Sequence, residues 1–208
     1  MIGWIEANAV RLESYLRTGG VVMIPLGIVC LLMWMLIVDR VFFFRRLLRK
    51  NMSSQTAWEH IRENRRPDPE RYRGAIALLV VEFLRRRGDD HSLDGNILDE
   101  TVQNINRHLV DYLAVIGVLA AIAPLLGLLG TVTGMMTTFD VLAVFGTGNA
   151  KAMANGISEA LITTQTGLLI AIPGLYMKGF LDRRARNLQQ HITAAGYHLR
   201  RHLRFGDR

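Results

Sequence analysis

The sequence predicts an all-α integral membrane protein: three transmembrane helices, with long helical extensions on the cytoplasmic side. Three observations predict it. Thr18–Val38, Tyr112–Phe139 and Ala160–Met177 are runs of 21, 28 and 18 residues without a charge, and ~20 apolar residues cross a hydrocarbon core of ~30 Å. Lys and Arg cluster beside particular ends of these runs, and helical periodicity continues beyond two of them into charged sequence. The 25 basic against 18 acidic residues, a net +7, would alone suit nucleic acid. Their positions make the excess a topology signal instead. One cysteine, Cys30, excludes an intramolecular disulfide framework and a cysteine-rich zinc module.

Residues 1–17 net zero charge and are expected outside, as a periplasmic N-terminus. They lack the basic start of a cleaved signal, so the first run reads as a retained anchor. The first transmembrane helix is expected over 18–44. Arg40, Arg45, Arg46, Arg49 and Lys50 crowd its far end and place that end in the cytoplasm. Residues 45–111 form the cytoplasmic helical region, whose 13 basic and 11 acidic residues describe a mixed, solvated surface. Arg66-Pro67-Asp68-Pro69 breaks it. Residues 75–84 are apolar but too short to span, which favours a helix packed on cytoplasmic neighbours over a re-entrant segment. Leu93, Ile97, Val102, Ile105 and Leu109 recur at helical spacing. With no Gly or Pro between Ile97 and Ile116, that helix is expected to run unbroken into the second span.

The second transmembrane helix is expected over 112–140, an outer loop over 141–156, the third transmembrane helix over 157–181 and a cytoplasmic helical tail over 182–208. The loop up to residue 158 holds a single basic residue, Lys151, whereas Lys178, Arg183, Arg184 and Arg186 follow the third span. Both the loop and the N-terminus therefore face outside. In the tail, Leu181, Ala185, Leu188, Ile192, Ala195 and Leu199 alternate four and three apart, a heptad seam. Such a seam needs a partner, either a neighbouring subunit or residues 93–110 of the same chain.

Two spans carry faces unsuited to lipid alone. Ala120, Pro124, Gly127, Thr131, Gly134 and Thr138 form one face of the second; Ala160, Thr164, Gly167, Ala171, Gly174 and Lys178 form one of the third. Small faces let helix backbones approach closely, and Gly130 with Gly134 adds a G-x-x-x-G pair. Tight packing alone would explain both faces; threonines bordering a cavity would also explain them. At 1.5 Å per residue, Thr131 lies ~12 Å and Thr164 ~10 Å from the outer ends of their spans, so they are expected at similar depth. Glu159, about a turn above Thr164, could relay protons as an intramembrane acid. It could equally sit in the first turn of a helix, where the dipole favours it. Asp39 and Arg40 form a boundary ion pair, local or between subunits. Trp34, Phe42–Phe44, Tyr112 and Tyr176 read as interface aromatics. The histidine pair His198-x3-His202 is a weak metal motif on an exposed tail, and Gly127-x-x-Gly130-x-x-x-Gly134 lacks the Lys-Ser/Thr of a phosphate loop. No metal, cofactor or nucleic acid is expected, and no convincing nucleophile–base pair suggests an enzyme.

Three ordered blocks carry a resemblance: Ala123-Pro-Leu-Leu-Gly-Leu-Leu-Gly-Thr-Val-Thr-Gly134, Gly146-Thr-Gly-Asn-Ala-Lys-Ala-Met-Ala-Asn-Gly-Ile-Ser158 and Glu159-Ala-Leu-Ile-Thr-Thr-Gln-Thr-Gly-Leu168. They resemble the MotA/TolQ/ExbB proton-channel family, and within it ExbB. The likeness is dense over 117–182 and around 20–46. It implies a homopentamer whose second and third spans line a pore around an ExbD-like single-span partner, which carries the proton-bearing aspartate and energises a TonB-like protein. It implies pore positions at Thr131 and Thr164 and the family's acidic residue at Glu159. Asp39 stands where glutamate is more usual before Arg40, and Asp140 and Thr163 where neutral or smaller residues are common. A TolQ-like subunit of a Tol-Pal envelope system and a passive membrane scaffold are the rival readings.

Overall fold

A computed structural model describes residues 14–48, 52–68, 72, 74–88, 93–146 and 149–205. Most of the expected outer N-terminus, residues 1–13, therefore lies outside the described residues, as do Thr147 and Gly148 of the outer loop. Every regular element among the described residues is helical. Among the described residues, residues 14–18 are helical, and six further helices follow in order: α1 (Met23–Leu48), α2 (Ser54–Arg62), α3 (Ala75–Arg86), α4 (Asp94–Val110), α5 (Leu113–Phe145) and α6 (Ala150–Phe205). Three helical stretches are long and apolar enough to cross a membrane, and they contain α1, α5 and α6. The chain divides into an apolar unit, 1–37 with 115–178, and a charged unit, 38–114 with 179–208.

In the apolar unit α5 and α6 pack antiparallel on a stripe of small residues. Ala120, Ala123, Gly127, Gly130 and Gly134 of α5 are buried against Gly156, Ala160, Thr163, Gly167 and Gly174 of α6. A methyl at Gly167 would lie 2.6 Å from the Ala123 carbonyl oxygen, and one at Gly134 2.7 Å from that of Gly156. Only glycine permits this approach. Met33 of α1 reaches Gly174 at the same contact.

The charged unit is built differently. Ser53 caps α2 by accepting from the Thr56 amide at 3.1 Å. Ala75, Ile76, Ala77, Leu79, Val80 and Phe83 of α3 are all buried, so the apolar segment 75–84 is a packed helix. Arg87 ties three elements together, donating to Asp94 at 2.9 Å and to the Ile61 carbonyl at 3.1 Å. The heptad seam of α6, Leu181 to Leu199, is at most 3% exposed within a single chain. Its partner there includes α4: Asn106 donates to Thr193 at 3.1 Å, Gln189 to the Asn106 carbonyl at 2.9 Å, and Arg200 pairs with Asp99. Of the two expected partners, the intrachain one is filled. No apolar seam position is left over for a neighbouring subunit.

Two expectations about continuity fail. The helix from Ile97 does not run into the second span; α4 ends at Val110 and α5 starts at Leu113. Asp111 adopts ψ 142° and Tyr112 φ +63°, a left-handed conformation uncommon outside glycine. Contacts the periodicity does not register hold the break. Arg40, 7% exposed, takes the His108 carbonyl at 3.4 Å, one of the carbonyls a helix end leaves without a partner. Its guanidinium lies 4.6 Å from the Tyr112 ring centroid, and His108 meets Asp111 at 2.8 Å. The connection expected over 141–156 is also shorter. Helix α5 persists to Phe145 and α6 begins at Ala150.

Candidate functional site

Thr131 and Thr164 flank the small-residue stripe and are not part of it. The buried positions are Gly130 and Thr163, one residue earlier on each helix. The sequence places Pro124 and Thr131 on the packed face. In the structure Ala123 and Gly130 hold those places, and Thr163 replaces Thr164. At ~100° per residue, each half-buried threonine is rotated to one side of the contact. Because α5 and α6 are antiparallel, the residue following the contact falls on the same flank of the pair in both helices. Thr131 and Thr164 therefore border one flank together.

Their depths differ. Thr164 lies opposite Gly127, donating to its carbonyl at 3.3 Å, whereas a methyl at Gly134 would meet Ala160. Thr131, one turn from Gly127, is thus ~6 Å nearer the α5–α6 connection than Thr164, at 1.5 Å per residue. Register causes the discrepancy: each threonine lies fourteen residues from the near end of its helix, but with Thr164 level with Gly127, α5 runs about one turn past the start of α6. The Thr131 hydroxyl donates to the Leu128 carbonyl at 2.6 Å, and that of Thr164 lies 3.2 Å from the Ala160 carbonyl. Each keeps an acceptor lone pair available.

Glu159 precedes the contact residue Ala160 and falls on the opposite flank. It stands nine residues inside α6, so the reading in which a helix start stabilises it is removed. Its carboxylate lies against Gly20, where any Cβ would collide with it, and Gly20 has φ +66°. Glycine is required there twice over, by conformation and by space. On the same flank Thr166 donates to Ile162 at 2.7 Å and lies 2.9 Å from the Tyr15 hydroxyl. With the threonine proton so engaged, Tyr15 is the donor. Tyr15 and Thr166 are 151 residues apart, and periodicity carries no signal for such a pair.

All five glycines expected at helix contacts meet a facing helix. A methyl at Gly127 would lie 3.0 Å from the Thr163 carbonyl oxygen, one at Gly130 would collide with the Thr163 side chain, and Gly134, Gly167 and Gly174 are equally close to their neighbours. Thr163 is the packing residue the face reading passed over. Its hydroxyl lies 3.0 Å from both the Glu159 and Ala160 carbonyls, so the buried group is satisfied within its own helix. The Asp39–Arg40 pair is loose at 3.8 Å, with Asp39 largely exposed. Arg40 is committed to His108, Phe43 and Tyr112. His198 and His202 meet at 4.6 Å with their rings tilted by 57°, and His202 stacks on Trp58 at 5.3 Å, so both rings are engaged in packing. The described residues contain no group of three side chains able to hold a metal.

Residues 43–194 match the MotA/TolQ/ExbB proton channel family. The chain is 31% identical to an ExbB-like biopolymer transport protein of Synechocystis, over 90% of this chain and 77% of the relative. It is 38% identical to the biopolymer transport protein ExbB of Aquifex aeolicus over 39% of this chain, and spans about half of that relative, 55%. Against ExbB of Helicobacter pylori the identity is 36%, over 56% of this chain and 81% of the relative.

Proposed function

The chain belongs to the MotA/TolQ/ExbB proton channel family, and on that premise we propose that it is an ExbB-like stator subunit of the bacterial inner membrane. With an ExbD-like single-span partner it couples inward proton flow to a TonB-like protein that energises outer-membrane transport. Its role is conduction and mechanical coupling, not enzyme catalysis. Its N-terminus and the connection from α5 to α6 face the periplasm, and residues 45–111 and the end of α6 face the cytoplasm, as the bias of Lys and Arg supports. Copies of the chain, five by the family's pattern, place the Thr131–Thr164 flank toward a central pore around the partner's span.

One observation carries this reading. The glycine stripe makes the close α5–α6 contact, Thr164 adds one hydrogen bond across it to the Gly127 carbonyl, and both threonines fall on one flank of that pair. Packing accounts for the Thr164 hydroxyl through that bond, but not for Thr131 on the same flank, whose hydroxyl bonds only within its own helix. Lipid does not favour two hydroxyls there, whereas a hydrated path uses their donor and acceptor capacity. Glu159, held against Gly20 on the other flank, supports the path through its charge and does not line it.

A specific observation favours the passive-scaffold reading as well: both threonine hydroxyls reach carbonyls of their own helices. Thr131→Val with Thr164→Val separates the two. The double variant keeps side-chain shape and loses about 1 kcal/mol at most from hydrogen bonding. We expect it to assemble at wild-type levels and to abolish proton flux in reconstituted vesicles with the co-purified small partner. Glu159→Gln retains part of that flux. Normal flux through the double valine variant removes the pore assignment and leaves the scaffold. A TolA-like partner recovered in place of a TonB-like one moves the chain to the Tol branch without altering the pore.

A further inference from the structure

The charged unit contains a cavity of about 750 Å³, within the ~300–1,000 Å³ of small-ligand sites. Its floor is apolar, with Phe43 and Leu47 from α1 and Val81 from α3. Leu78, 44% exposed, forms a lip, and Arg46 and Arg66 stand at the rim. Among the described residues neither arginine has a carboxylate partner. Glu59, Glu63 and Asp68 share a smaller neighbouring cleft with Arg66, but none of them lines this cavity. Arg46 is thus the less compensated of the two charges.

Height along α1 identifies the surroundings. The uncharged run that ends at Val38 crosses the hydrocarbon core, and Asp39 and Arg40 mark its inner edge. Phe43, Arg46 and Leu47 follow at headgroup level. An apolar cavity rimmed by two guanidinium groups at that height has one chemically matched neighbour in abundance.

We propose that this cavity binds an anionic glycerophospholipid of the inner leaflet. An acyl chain lies on Phe43, Leu47 and Val81, and the phosphate is held by Arg46 and Arg66. Guanidinium groups match phosphate oxygens in fork geometry, and basic pockets beside membrane helices hold such headgroups. A free phosphate has no use for the apolar floor, and a neutral phospholipid leaves both charges unanswered. The inference requires only that α1 crosses the bilayer, and it stands apart from the pore assignment.

Native mass spectrometry of the delipidated full chain, titrated with phosphatidylglycerol, phosphatidylcholine or glycerol 3-phosphate, tests it. Phosphatidylglycerol should bind on the order of tenfold more tightly than phosphatidylcholine, and glycerol 3-phosphate more weakly than either. Arg46→Gln should lose most of that preference and Arg66→Gln less of it. Val81→Trp, at a half-buried site, should fill the floor and abolish lipid retention with helicity unchanged by circular dichroism. Equal binding of the two lipids overturns the proposal, as does phosphatidylglycerol retention by the Arg46→Gln, Arg66→Gln pair. Glycerol 3-phosphate binding as tightly as phosphatidylglycerol makes this a free-anion site and also overturns it. So does a wild-type chain that retains no lipid while Val81→Trp breaks its oligomer, since a second copy would then fill the cavity.

Discussion

Helix α6 carries one spacing through two solvents. From Gly156 to Gly174 its buried residues are glycine, alanine and threonine with a single isoleucine, Ile170, and from Leu181 to Leu199 they are leucine and isoleucine with two alanines and Gly196, spaced three or four apart save for the adjacent pairs Ile170–Ala171 and Ala195–Gly196. The geometry of a helix face is the same in both stretches, but the reason for burying it differs. In lipid a large apolar side chain gains nothing by turning inward, and close backbone contact does the work. In water the gain scales with apolar area removed from solvent, so large side chains fill the seam. Side-chain size along one stripe therefore records where the bilayer ends.

Placing a charge in the seam attacks the watery half hardest. Leu188→Asp with Leu199→Asp should cost on the order of 3–5 kcal/mol per site, because each carboxylate is buried without a partner. Since the seam is filled within the chain, the expected outcome is rapid proteolysis of the region after residue 178, with membrane insertion of all three spans intact. A resistant tail whose oligomers alone dissociate would show that the seam belongs between subunits.

Exchanging the two size rules should cost less and mark the boundary. Gly167→Leu forces a side chain against the Ala123 backbone, 2.6 Å away, and overpacking of that kind costs about 1–3 kcal/mol. Leu188→Ala leaves a cavity worth about 2–5 kcal/mol. The comparison predicts opposite responses to size, so Gly167→Ala should be milder than Gly167→Leu, while Leu188→Met should be nearly silent. Thermal unfolding in one detergent measures all four. A harmless Gly167→Leu would mean that the small stripe is not a close contact.

The spans, the packed helix at 75–84 and the small-residue faces were legible because length and periodicity encode them directly. The flank on which each residue lies was less so. Thr163 and Thr164 are adjacent, both fit a four-three pattern, and only the partner helix decides which one is buried. The break at Asp111–Tyr112 was hidden for a related reason. No glycine or proline marks it, because Arg40, some seventy residues away in sequence, supplies the carbonyl partner and the aromatic contact. Glu159 was recognised as unusual, but its neighbour Gly20 sits in the turn before α1. Periodicity speaks for one helix at a time, and each of these outcomes depends on a second segment.

The smallest effect separates the units by pH. Glu82 of α3 accepts from Arg85 at 2.7 Å and from Arg86 at 2.9 Å, and Arg86 continues to Glu100 at 3.1 Å. Burial pushes the Glu82 carboxyl up, but the hydrogen bonds and charges of Arg86 and Arg85 together outweigh it and hold the group below its ordinary value of 4.5. A carboxyl depressed in the folded state stabilises that state above its unfolded pKa, and the contribution fades as pH falls through the lower folded value. Glu82→Gln should therefore weaken the charged unit modestly at neutral pH, with the difference from wild type closing below about pH 4. Proteolysis of the tail across pH, set against unchanged protection of the spans, measures it. A gap that stays constant down to pH 3 would mean that the arginines hold Glu82 by shape, with no contribution from its charge.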